Sequence, residues 1–213
     1  MKKFISVFMS LMLLAVLAAC TAKGGEVVSD MEKIQKQLID MKNYACIATV
    51  EHISKRGVKV YETKQYYKKT GEYRLEMLAP ESIKGIITTY NGKTICQYNP
   101  NVESKIRKDL ESSDYVDEML LGAFIRNYLK SEHTSVAAAK FDKAKCTVLE
   151  AVIPGEHKYL ATEKLWVENS TLLPKQLVIY DKEGEERVRV TYSEFQWNAE
   201  LEDKIFELTK EEQ

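Results

Sequence analysis

Four cysteines and three histidines are the side chains of this 213-residue sequence most suited to chemistry, and their spacing decides which chemistry is open to them. Cys20 follows Leu17-Ala18-Ala19, which in turn closes an apolar run from Phe4 to Leu17 led by Lys2 and Lys3. A positive start, a short apolar stretch and small residues before a cut mark a secretory signal peptide. Ser6 and Ser10 interrupt the run, which falls short of the roughly 20 apolar residues that a membrane-spanning helix requires. Small residues ending in a thiol have the form of a lipobox, in which the cysteine accepts a diacylglycerol before cleavage. The sequence therefore predicts a lipoprotein signal peptide over 1–19, a lipidated tether over 20–25 beginning at Cys20, and one domain over 26–213. Such a protein is lipid-anchored to the cell membrane and faces away from the cytoplasm.

The other candidates offer little. Cys46, Cys96 and Cys146 are odd in number, so at least one is free or pairs between chains; free cysteine is commonly a small buried residue, and that is the expectation for all three. Metal sites need ligands at short fixed spacings, whereas these cysteines and His52, His133 and His157 are scattered singly, so no metal or other cofactor is predicted. His52 shares a strand side with Cys46 and Val50, which predicts a hydrogen-bonded histidine near a sheet edge. The nucleophile elbow, the zinc-protease helix, the P-loop and the dinucleotide turn are all missing from the sequence. Carboxylates are numerous, but they alternate with apolar residues and read as solvated faces. An enzyme is not predicted.

Charge points the same way. The 31 basic residues, less Lys2 and Lys3, face 32 acidic ones, a net charge of about −3 for the processed chain. No basic cluster is interleaved with aromatics, so a nucleic-acid partner is not expected.

The elements that position these residues follow from periodicity. Val27, Met31, Ile34, Leu38 and Met41 recur at the three-and-four spacing of an amphipathic helix. From Ala45 the period becomes two, with a turn at Ser54-Lys55-Arg56-Gly57 before Val58, Val60 and the Tyr66-Tyr67 region. Tyr73 to Met77 alternates until Pro80 stops it. Ile83 to Tyr90 and Lys93 to Tyr98 flank Asn91-Gly92, a strong hairpin signal because both residues accept positive φ. Val102 to Leu110 is a further strand. Asp114 to Lys130 carries a broad apolar stripe that includes Tyr115, Val116, Met119, Leu120, Ala123, Phe124, Tyr128 and Leu129, and reads as a second helix. Four more strands are predicted over 145–153, 159–168, 175–181 and 186–195. The fold class is α+β: a large antiparallel sheet needs apolar cover for its inner face, and the two helices are the available cover.

Several segments together resemble one family. Asn91 to Pro100, followed by Val102-Glu103, is similar to the Gly-Lys-Thr, apolar, Tyr-Asn-Pro hairpin of the LolA/LolB-like lipoprotein carriers. Tyr73-Arg74-Leu75 before Pro80 resembles their arginine-bearing strand. Leu173-Pro174-Lys175, Asp181 to Gly184, Tyr192, Asn198, Ile205 and Phe206 match the C-terminal half in order. The resemblance implies an unclosed antiparallel β-barrel wrapped around helices, with an apolar groove that in the carriers holds acyl chains; Leu75, Met77, Leu120 and Phe124 are the candidate groove residues, with core packing as their simpler role. The lipobox sets the chain nearer the anchored members, above all the GerS-type germination lipoproteins of clostridia. That likeness implies a non-enzymatic partner that binds and activates a spore-cortex N-acetylmuramoyl-L-alanine amidase, with the forespore membrane as its place. The alternative it leaves is a carrier of lipid or lipoprotein acyl chains. An open barrel has unpaired strand edges, so homodimerisation by strand exchange is a further expectation.

Overall fold

The computed structural model describes residues 29–110, 117, 119–155 and 157–208. The predicted signal peptide, Cys20 and its tether lie outside the described residues, as do Val27, Tyr115 and Val116. Among the described residues eleven strands form one antiparallel sheet: β1 (Asn43–Ser54), β2 (Gly57–Lys68), β3 (Tyr73–Ala79), β4 (Ile87–Tyr90), β5 (Thr94–Asn99), β6 (Ser104–Asp109), β7 (Ser135–Phe141), β8 (Ala144–Val152), β9 (Thr162–Glu168), β10 (Pro174–Tyr180) and β11 (Glu186–Trp197). Helix α1 covers 29–40 and helix α2 covers Leu121–Lys130.

The order in the sheet is β6-β5-β4-β3-β2-β1-β11-β10-β9-β8-β7. The chain thus runs as a meander from β1 out to the edge strand β6, crosses through α2 to the opposite edge β7, and returns to lay β11 beside β1. Among the described residues both ends of the sheet stay unpaired, so the barrel is unclosed. All six residues of β6 are exposed.

Alternation along the strands sorts the residues. Tyr44, Cys46, Ala48 and Val50 of β1 are buried, and they join Leu165, Val167, Leu177, Ile179, Val188, Val190 and Tyr192 in one core with Ile34 and Leu38 of α1 and Leu121, Phe124, Ile125 and Tyr128 of α2. Both helices therefore fill the inner side of the curved sheet. They also meet each other, since Gln35 donates from Nε2 to the Tyr128 hydroxyl at 2.9 Å. One close approach fixes α2: a Cβ on Gly122 would lie 2.0 Å from Cζ of Tyr67, so only glycine admits the ring of β2 against the helix.

Some expectations are corrected. Among the described residues the second helix begins at Leu121, and 114–116 of the predicted span lie outside them; Leu120 is extended, with φ −86° and ψ 137°, and Asp117 closes a turn by accepting the Met119 N–H on its carboxylate and the Leu120 N–H on its carbonyl. Leu129, placed in the apolar stripe, is 49% exposed. The strand expected from Ile83 starts only at Ile87, because 81–83 is a 3-10 turn and Gly85, with φ +83°, returns its N–H to the Met77 carbonyl. At the hairpin only Gly92 has positive φ, while the Asn91 side chain accepts the N–H groups of Lys93 and Thr94. Strand β7 is additional to the predicted set. Cys46 and Cys146 are buried and Cys96 is half-buried, all three as free thiols. His52 sits on β1, a central strand rather than near an edge, with its ring edge-on to Tyr61 at 5.6 Å.

Candidate functional site

The interior of the barrel is occupied by side chains. Leu120 and Phe124, two of the four candidate groove residues, are 1% and 0% exposed and belong to the core, with Phe124 stacked on Tyr128 at 5.7 Å between ring centroids. Leu75 packs partly buried against that core and Met77 is half-buried farther along β3, so the structure brings Leu75, Leu120 and Phe124 together under the sheet and leaves Met77 toward its end. Buried polar groups lie deep in the same space. Tyr44, Tyr67 and Tyr192 have hydroxyls pushed above the usual tyrosine range chiefly by burial, and burial likewise pushes the Cys46 thiol up. Thiols held protonated in this way are poor nucleophiles. No cluster of three metal-ligating side chains occurs among the described residues.

Two clefts remain. One, of about 350 Å³, lies beside α2 and is lined by Tyr67, Tyr73, Tyr90, Leu120, Ile125 and Arg126 among others. The larger, about 1650 Å³, is the mouth of the barrel at the end where the β1–β2 and β10–β11 turns meet the segment before β9. The adjacency of β1 and β11 explains why two turns so distant in sequence share one opening.

The floor of the mouth is apolar, with Tyr61, Met119, Leu160, Ile179 and Val188. Its rim is charged. The β1–β2 turn contributes Lys55 and Arg56 and the start of β2 Lys59, and the β10–β11 turn contributes Glu183 and Glu185 and the start of β11 Glu186. His52 lies on the same wall, its basicity lowered by burial and by neighbouring Lys59, so near neutral pH the imidazole is mostly uncharged. From sequence alone both turns read as solvated connections. The available signal is their opposite charge, which has meaning only once the sheet order is known.

Asp181 builds the acidic rim. Its carboxylate accepts N–H groups from Glu183 at 3.0 Å and Glu185 at 2.9 Å, and pairs with Arg187 through Nε at 2.6 Å. Burial alone would raise this carboxyl, but those donors and the Arg187 guanidinium hold it below the usual aspartate value near 3.8. A depressed folded pKa stabilises the turn above 3.8 and ceases to do so as pH falls through the lowered value. Asp181→Ala is accordingly expected to speed hydrogen exchange at the Glu183 and Glu185 amides at neutral pH. Wild type should show the same acceleration, after correction for intrinsic rates, only below pH 3.8. Unchanged protection in Asp181→Ala would show that the carboxylate does not hold the turn.

With this geometry in hand, likeness to known proteins becomes informative. A family model described as sporulation protein YdcC-like matches residues 1–206. The chain belongs to that family. Among its curated relatives, sporulation protein YdcC of Bacillus subtilis (strain 168) is 21% identical over 211 residues, covering 98% of this chain and 61% of that protein. This YdcC-like chain thus spans about three fifths of that relative's length. Of solved structures, a conserved protein from Thermus thermophilus superposes with a TM-score of 0.53 at 15% identity, over 90% of this chain and 97% of the other, a likeness of fold. The GerS lipoprotein, solved in complex with the CwlD amidase of Clostridioides difficile, is 33% identical over 79% of this chain and 94% of its own, with a TM-score of 0.49. A LolA superfamily protein from Nitrosomonas europaea is 18% identical over 85% and 97%, with a TM-score of 0.45. The LolA-like architecture implied by the sequence motifs, an unclosed antiparallel sheet around two helices, is the one the YdcC-like chain adopts.

Proposed function

We propose that this chain is a lipoprotein of sporulating cells, anchored through Cys20, that binds a spore-cortex N-acetylmuramoyl-L-alanine amidase and activates it without catalysing a reaction itself. Membership of a sporulation family supports the setting. The observation that carries the choice of a protein partner over a lipid cargo is the packing beneath the sheet: Leu121 and Phe124 of α2, both at 0% exposure, belong to the core there, and the larger space left open is the charged-rimmed mouth. Sequence identity with GerS, rather than the superposition, supports an amidase as the partner.

Mixing the domain over residues 21–213 with the amidase encoded by the same organism and passing the mixture through a sizing column tests the reading. Co-elution at a fixed ratio is expected. Separate elution, beside mass spectra that show a stoichiometric lipid on the isolated domain, would favour the carrier instead, since the apolar floor of the mouth is where a chain could begin to enter.

Anchoring has its own test. Dual acylation makes membrane attachment stable, because each buried methylene contributes about 0.8 kcal/mol. Cys20→Ala is expected to abolish incorporation of labelled palmitate and to leave uncut precursor or shed protein. Labelling that persists in the variant would remove Cys20 as the attachment point.

A further inference from the structure

The mouth of the barrel combines three features that the packed interior lacks. First, Lys55, Arg56 and Lys59 stand on one lip and Glu183 and Glu185 on the other, all five exposed, while exposed Lys158 lines the opening beside Tyr159. Second, these groups are unspent. None of the five enters an ion pair among the described residues, whereas Arg187 and Arg189 nearby are engaged by Asp181, Glu51 and Glu186. Third, a large apolar side chain stands exposed in the lining of the same opening, Tyr159 at 57%. A single exposed apolar residue means little, but Tyr159 continues the apolar floor of Tyr61, Met119, Leu160, Ile179 and Val188, and an apolar centre with a charged rim has the make-up of an interface.

From this we infer that the mouth is the docking surface for the amidase, and that the partner presents an apolar projection flanked by acidic residues on the side meeting Lys55, Arg56 and Lys59 and basic residues on the side meeting Glu183 and Glu185. The inference rests on the partner reading above and adds where and how the partner is held. Complementary charge at a rim steers encounter and fixes orientation more than it adds affinity, and it does so in a salt-dependent way. Two lips of opposite sign also set the rotation of the partner, because a half-turn would bring like charges together. An anionic lipid surface fits poorly, since Glu183 and Glu185 would face it with the same sign.

Three variants of the 21–213 domain decide the matter: Lys55→Glu/Arg56→Glu/Lys59→Glu on the basic lip, Glu183→Lys/Glu185→Lys on the acidic lip, and Lys105→Glu/Arg107→Glu/Lys108→Glu on the exposed edge strand β6 as a charge-matched control. All of these side chains are exposed, and the ion pair of Arg107 with Asp109 at 4.0 Å is a surface pair of the kind that adds little, so each variant should melt close to wild type. Calorimetric titration against the amidase is expected to show at least roughly tenfold weaker binding at low salt for both lip variants, a difference that shrinks at high salt, and affinity within about twofold of wild type for the β6 control. Wild-type affinity in the lip variants would overturn the inference while leaving the partnership intact, and so would an equal loss in the β6 control. Failure of the wild-type domain itself to bind would instead remove the partner reading, and the docking surface with it. Capture of wild type by phosphatidylglycerol vesicles, lost in the basic-lip variant, would assign the mouth to a membrane and overturn the inference too.

Discussion

Phe124→Asp is expected to leave no folded domain in solution. The side chain has 0% exposure, stacks on Tyr128 and belongs to the core that joins α2 to the sheet. An aspartate there brings a carboxylate among groups that cannot solvate it, at a cost of several kcal/mol even after it takes up a proton. Domains of this size are stable by only about 5–15 kcal/mol, so that loss consumes much of the margin. Helix α2 cannot respond by turning outward, because the Tyr67 ring lies against Gly122 and Asn127 donates from Nδ2 to the buried Glu163 carboxylate at 2.9 Å. Expression should yield insoluble or degraded protein. A soluble Phe124→Asp protein melting within a degree or two of wild type would show that Phe124 faces water or an open groove, and would reopen the carrier reading.

How legible is this fold in the sequence? Strand β1 is readable because one face packs on the core and the other less so, which alternates burial from Tyr44 to Val50, and β3 is readable from the alternating residue types of Tyr73 to Met77, although Arg74 is buried as well. Helix α1 is readable from Met31, Ile34 and Leu38, whose spacing matches the single apolar stripe it presents, with buried Met41 just past its end. Strand β7 is not: Ser135-Val136-Ala137-Ala138-Ala139-Lys140 has little apolar contrast, and alanine is a weak strand former, so its pairing with β8 supplies what the local sequence does not. The early start assigned to α2 comes in part from counting Met119 and Leu120 as helical, when apolar residues just before a helix produce the same spacing without the backbone. Of the candidate site, the groove residues are identifiable as inward-facing, but whether Leu120 and Phe124 line a space or fill it depends on packing between elements distant in the chain. The charged mouth is invisible for a related reason. Lys55 and Glu185 lie far apart in the chain, and only the pairing of β1 with β11 sets them around one opening.

The second large effect is expected in the partner. A protein with no catalytic cluster can raise an enzyme's activity by binding its competent state more tightly than its incompetent one, and the shift cannot exceed that difference in affinity. A tenfold rise in the active fraction therefore requires about a tenfold affinity ratio, worth about 1.4 kcal/mol. The domain should raise turnover of the amidase on cortex glycan when the enzyme is only partly active, and should add little once the enzyme is saturated with its metal. Isothermal titration of the 21–213 domain into the metal-loaded and the metal-stripped amidase measures the ratio directly. The account predicts binding at least roughly tenfold tighter to the loaded enzyme; equal affinity for the two forms would contradict activation, and no heat with either would contradict the partnership itself.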